Sequence, residues 1–174
     1  NVVEVREVGA PAGIEPLHWI LLTTWACTGL KDAWRVAQTY RARWIIEEYH
    51  KALKTGTGIE KAQFSTRHRI EAFLGVLAIL AIRLTNMKLL ARVLPDAALP
   101  EGAMGPEYIE ILDAQFGKPK NGWTNATALI AVARLGGFHA RKSDGMPGWI
   151  TIWRGWRLLE ALVHGADLVR RKRR

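Results

Sequence analysis

Apolar residues alternate with charges at the start of the chain, where NVVEVREV interleaves Val2, Val3, Val5 and Val8 with Glu4, Arg6 and Glu7. Successive side chains of a strand point to opposite faces, so this pattern predicts a strand. Gly9 to Pro16 is broken by glycine and proline and reads as a loop. Leu17 to Thr24, LHWILLTT, is a short apolar run with a β-branched end. It reads as a second strand, buried on both faces. The period then changes. Thr28 is placed to cap a helix, and Asp32 to meet the positive end of its dipole. That helix is expected to run to about Lys54 and to stop at TGTG, whose glycines accept a left-handed backbone. A second helix is expected from about Thr66 to Val93, ended by Pro95. Its most apolar part, AFLGVLAILAI from Ala72 to Ile82, is too short to span a bilayer and reads as a buried core helix.

Pro95 to Tyr108 is rich in proline and glycine and reads as a linker. Helices are expected over Pro106–Gln115, Thr124–Gly137 and Trp149–Gly165, and RRKRR at the end reads as a mobile basic tail. The predicted class is α+β, mostly α. Two short strands do not make a self-sufficient sheet. They are expected either to pair with strands outside this chain or to form a lone hairpin packed on helices. The start inside a strand, without Met, reads as that of a fragment.

Composition adds a partner. The 174 residues carry 25 Lys and Arg against 16 Asp and Glu, a net charge of +9. Such a surplus attracts polyanions, nucleic acid above all. The single cysteine, Cys27, excludes an internal disulfide and fits a reducing compartment such as a cytoplasm. The histidines His18, His50, His68, His139 and His164 show no ligand-like clustering, which argues against zinc.

The densest chemistry lies in QTYRARWIIEEYHKALKTG, Gln38 to Gly56. At 100° per residue, Tyr40, Arg43, Glu47, Lys51 and Lys54 share an arc of about 80°. Ala42, Ile45, Ile46, Tyr49, Ala52 and Leu53 fall on the other side. The helix is therefore amphipathic, and Glu47 with Lys51 forms the favourable i,i+4 pair. Such a face suits simple solvation as well as it suits a site.

The spacing Tyr40-x2-Arg43-x3-Glu47-x6-Lys54, followed by TGTGIE, resembles the Y-x2-R-x3-E-x6-K signature of insertion-sequence-4-type bacterial transposases. LHWILLTT resembles the strand before the signature helix, and IAVARLGGF and GWITIWRGWRLLEALV resemble that family's C-terminal helical domain. The resemblance implies the end of an RNase H-like catalytic domain over residues 1–93 and a helical dimerisation domain over 94–174. It makes Glu47 the third acidic residue of a DDE triad and a ligand for Mg²⁺ or Mn²⁺. It gives Tyr40, Arg43 and Lys54 the task of gripping phosphates at a transposon end, with Lys51 on the same flank. It places Trp19 against a flipped base and Trp44 in the vacated stack. Arginine, lysine and tyrosine suit phosphate contact, and a flipped base needs an aromatic platform.

Two further aspartates complete such a triad. Asp32, Asp96, Asp113, Asp144 and Asp167 are the only ones present, and none is expected on a strand before the signature helix. The isolated chain is therefore expected to cleave no DNA, its parent being a cut-and-paste enzyme acting on duplex transposon ends as a homodimer. A non-catalytic DNA-binding or dimerising remnant is the second reading, and an unrelated helical module with a solvated basic face the third. His50 lies near the metal flank, at about 280° on the same wheel. Trp149, Trp153 and Trp156, with Ile152, Leu159 and Val163, form a stripe expected to be core.

Overall fold

The structure is a computed structural model that describes residues 1–172. It divides into two compact units, Asn1–Glu47 and Glu48–Arg174. The class is α+β and mostly helical, as the hydrophobic pattern predicted.

In the first unit β1 (Val2–Arg6) and β2 (His18–Leu22) pair antiparallel, with Val3 opposite Leu21 and Val5 opposite Trp19. These four residues point to one face, where Val36 and Ala33 of α1 (Leu30–Arg41) pack on them. Burying Val3, Leu21 and Val36 stabilises the hairpin by roughly 1.5–3 kcal/mol each. The strands thus form a lone hairpin on a helix. β2 is covered on one face only: Ile20 and Leu22 are exposed at 67% and 83%. A short apolar run does not by itself distinguish one covered face from two. The opposite face also carries Glu4, which is bridged by Arg6 and His18.

Thr28 does not cap α1 as expected. Gly29 is the cap residue, and Thr28 instead donates its backbone N–H and its hydroxyl to the Asp32 carboxylate, at 3.0 and 2.9 Å. Those bonds from Thr28 hold the Asp32 carboxyl below the usual carboxylate range.

The single long helix expected to Lys54 is interrupted twice. α1 ends at Arg41, and α2 spans Trp44–Lys51. Between them the backbone tightens to i→i+3 bonds, from Arg43 to Tyr40 (2.9 Å), Ile45 to Ala42 (3.0 Å) and Ile46 to Arg43 (3.0 Å). Neither glycine nor proline stands there, so the sequence carried no stop signal. After α2 the chain widens into a π-helical turn, Ala52–Gly56, closed by Thr57 N–H to the Ala52 carbonyl. Regular 100° phasing therefore does not hold across the signature.

In the second unit a short 3-10 turn (Ile59–Lys61) leads to α3 (Arg67–Val93), which packs on α5 (Asn125–Leu135) and on the π-helical turn. α4 (Pro106–Phe116) and α5 both lie against α6 (Trp149–Lys172). The core is Leu84, Leu112, Leu129, Val132, Ile152, Trp156 and Leu159, each essentially inaccessible. Of the predicted stripe, Trp149, Ile152, Trp156 and Leu159 are core and Trp153 packs partly buried against them, whereas Val163 is only half-buried. α5 and α6 touch through backbone at Gly136 and Gly155: a Cβ at Gly155 would lie 1.7 Å from the Val132 carbonyl oxygen. α5 begins with a reciprocal cap between Thr124 and Thr127. On α4, Tyr108 donates to Glu160, and burial together with that bond pushes its phenol up to about 12.

The Pro95–Tyr108 stretch is pinned at its start. Leu99 N–H bonds to the Trp123 carbonyl, and the Asn125 amide side chain donates to the Leu94 carbonyl. The boundary expected at 93/94 thus lies inside the second unit.

α3 is not the buried core helix expected. Leu77, Ala81, Leu84 and Met87 are buried, whereas Val76, Ile79 and Ile82 are exposed at 64%, 69% and 51%. The whole helix, unlike the Ala72–Ile82 run, is long and apolar enough to cross a membrane by length and composition. The expected basic tail is also partly helix. α6 continues to Lys172, with Arg171 paired to Asp167 (2.8 Å) and Arg170 to Glu110. Cations in a last turn suit the negative end of the dipole. Arg173 and Arg174 lie outside the described residues.

Candidate nucleic-acid interface

The first unit brings four predicted site residues into a continuous line of contact. Trp19 projects from the covered face of β2 and is partly buried. Its ring meets the Tyr40 ring edge-on, with centroids 4.9 Å apart and planes at 73°. The Arg43 guanidinium lies 5.8 Å from the Tyr40 centroid and pairs with Glu47 at 2.7 Å. Arg43 and Glu47 are each about half exposed, so both remain open to a ligand. The hydrogen bond and charge of Glu47 raise the Arg43 pKa still further, fixing the guanidinium as a cation. Tyr40 stands at the end of α1 and is 40% exposed. Trp44 opens α2 and is partly buried.

Beside Tyr40 lies an open cavity of about 330 Å³ lined by Ile20, Leu22, Trp25, Thr39 and Tyr40 among others. Arg35 sits over the Trp25 ring at 4.7 Å. Trp25 and Arg35 carry no local signal of this contact. Their separation in the chain hid them, because only the fold brings a loop tryptophan under a helix arginine.

Lys51 and Lys54 belong to the second unit, where each faces an acid. Lys51 lies 3.6 Å from Glu48, and Lys54 lies 3.2 Å from Glu60. His50 is exposed and packs its ring edge-on to Tyr49. Glu48, adjacent to Glu47, lies outside the signature spacing. Its carboxylate accepts from Lys88 (3.3 Å) and from the Trp149 indole N–H (3.1 Å) and is only about a fifth exposed. Burial alone would raise this carboxyl; the Lys88 charge and bond, the Trp149 bond and the Lys51 charge outweigh it and hold the pKa low. Glu48 thus fastens the C-terminal half of α2 to α3 and α6, while Glu47 is solvated. Two neighbouring glutamates have opposite environments, because Lys88 and Trp149 reach only Glu48.

A metal is poorly served by these residues alone. Mg²⁺ takes about six oxygens, from one or two carboxylates together with waters and phosphate oxygens. Glu47 offers one carboxylate, one oxygen of which is engaged by Arg43. Among the described residues no group of three or more His, Cys, Asp or Glu is placed to hold an ion.

Residues 19–83 match the family described as the transposase DDE domain. The matched stretch runs from β2 into α3 and contains Trp19, Tyr40, Arg43, Trp44, Glu47, Lys51 and Lys54. It covers less than half of the chain and leaves β1 and α4–α6 outside. Similarity over this segment points to a transposase-related function, and members of that family act on DNA with divalent metal ions.

Proposed function

We propose that this chain is the C-terminal part of an insertion-sequence-4-type DDE transposase and that its signature residues contact transposon-end DNA. The observation that carries this reading is the line Trp19–Tyr40–Arg43–Glu47, lying within the segment similar to the DDE domain. Arg43 keeps free donors for a phosphate, and Tyr40 offers a phenol beside it. Trp19 and the cavity next to Tyr40 supply aromatic and apolar surface for a displaced base. Lys51 and Lys54 exchange their carboxylate partners for phosphates on binding. Residues 1–93 are then the end of an RNase H-like domain and residues 94–174 a helical domain serving dimerisation, in a protein that works on the bacterial nucleoid.

In that reading Glu47 contributes one of three carboxylates to a Mg²⁺ or Mn²⁺ site. The described residues do not complete that site, so no chemical step is assigned to the chain itself. The same observation favours a second reading, a DNA-binding or dimerising remnant without cleavage. With duplex transposon-end DNA and Mg²⁺ the 174-residue chain is expected to bind without cleaving under both readings, so cleavage by the complete protein, lost on Glu47→Gln, is what separates them.

The test of the interface is fluorescence anisotropy with that duplex across a salt series. Binding is expected to weaken with salt, and Arg43→Ala to lower the slope of log affinity against log salt by about 0.9, one phosphate contact. In the complete transposase, Glu47→Gln is expected to abolish cleavage and spare end binding. Salt-independent binding, or full cleavage by that variant, refutes the assignment.

A further inference from the structure

From Ala114 to Ser143 the chain has no Asp or Glu, yet it carries Lys118, Lys120, Arg134, Arg141 and Lys142. The fold gathers part of this stretch into a concave site in the second unit, far along the chain from the signature. The end of α4, the turn after it and one side of α5 enclose a cavity of about 360 Å³. Phe116, Lys118, Trp123 and Arg134 line it. The Arg134 guanidinium lies over the Phe116 ring, 4.9 Å from its centroid. Lys118 and Lys120 flank Pro119 on the turn and are exposed.

The turn is held in shape before any ligand arrives. Gly117, at φ 82°, ends α4 in a conformation that a side chain would strain. Gly122 N–H bonds to the Pro119 carbonyl at 3.0 Å, and Pro119 fixes its own φ. The Trp123 indole N–H donates to Asp113 at 2.8 Å, and its carbonyl accepts from Leu99. That bond ties the Asp113 carboxylate to the indole edge.

We infer that the Phe116–Arg134 cavity binds a single-stranded segment of DNA, with Lys118, Lys120 and Arg134 on phosphates and a base in the aromatic recess. Three observations carry this. The lining is cationic without a carboxylate of its own, which fits a polyanion. It pairs cations with aromatic rings, the combination that accepts unstacked bases and the backbone joining them. Its concavity admits one unstacked base better than the smooth edge of a duplex. The site lies outside the segment matching the DDE domain and does not depend on the signature residues.

The experiment measures anisotropy of a labelled oligothymidylate with the full chain, across a salt series, against a duplex of equal length. The double variant Lys118→Gln/Lys120→Gln is expected to reduce the single-strand salt slope by about 1.4, two contacts at about 0.7 each. Arg134→Gln is expected to weaken single-strand binding further. These side chains are exposed, so unchanged thermal melting checks that the fold is intact. The charge-matched control Arg67→Gln/Arg69→Gln, at the start of α3, removes the same net charge elsewhere. Loss confined to the Lys118, Lys120 and Arg134 variants supports the site. Equal loss in the control means that net charge alone is felt and overturns it, as does loss for duplex only. The drop in duplex salt slope on Arg43→Ala, which tests the signature interface, is expected to be the same with Lys118 and Lys120 present or replaced, so the two readings fail separately.

Discussion

Removing the Glu48 carboxylate tests whether the residue beside Glu47 is an anchor. Glu48 and Lys88 are each about a fifth exposed and meet at 3.3 Å, and Trp149 adds an indole bond at 3.1 Å. Hydrogen bonds to charged groups are worth about 1.5–3 kcal/mol, and breaking one side of a buried pair strands the other charge. Residual exposure lets Lys88 turn partly to water, so Glu48→Ala is expected to cost about 2 kcal/mol, at the low end of those ranges. Glu48→Gln keeps an acceptor for both partners and loses only the charge, at about 1 kcal/mol. For a unit of this size the alanine variant should melt about 6–10 °C lower. A double-mutant cycle with Lys88→Met, read by urea unfolding, isolates the pair.

The pH dependence has a defined sign. Glu48 has a lowered carboxyl pKa in the folded state, so its contribution is present above the ordinary carboxylate value, about 4.3, and is lost as pH falls through the lowered folded value. The gap between wild type and Glu48→Gln should therefore hold from neutral pH to about 5 and close below about 4. A Glu48→Ala stability within 0.5 kcal/mol of wild type, about the scatter of surface substitutions, would refute the anchor.

Gly155→Ala should destabilise the second unit by about 1–3 kcal/mol or more, because the new Cβ meets the Val132 carbonyl and α5 must move away from α6. Chemical denaturation checks this, and a wild-type midpoint contradicts the close approach. Asp32→Ala should raise amide hydrogen exchange at Thr28 and in the first turn of α1, since the carboxylate accepts both Thr28 bonds. Unchanged exchange there removes Asp32 from that role. Tyr108→Phe should remove a tyrosine phase near pH 12 from an ultraviolet absorbance titration. Persistence of that phase assigns it elsewhere.

The sequence by itself determined the order of strands and helices, the strand alternation of Val3 and Val5 and the tryptophan core stripe. These follow from local periodicity and from residue chemistry, which a single chain displays directly. It did not determine that the signature helix tightens at Ala42–Arg43 and widens at Ala52–Gly56, since no proline or glycine marks the first change. Nor did it separate Glu47 from Glu48. Lys88 and Trp149 reach Glu48 from distant parts of the chain, so its burial exists only once α2, α3 and α6 have packed. The exposure of Ile20, Leu22, Val76 and Ile79 was likewise a tertiary outcome. Hydrophobicity states that a side chain leaves water favourably, but the neighbours available in the fold decide which side chains do.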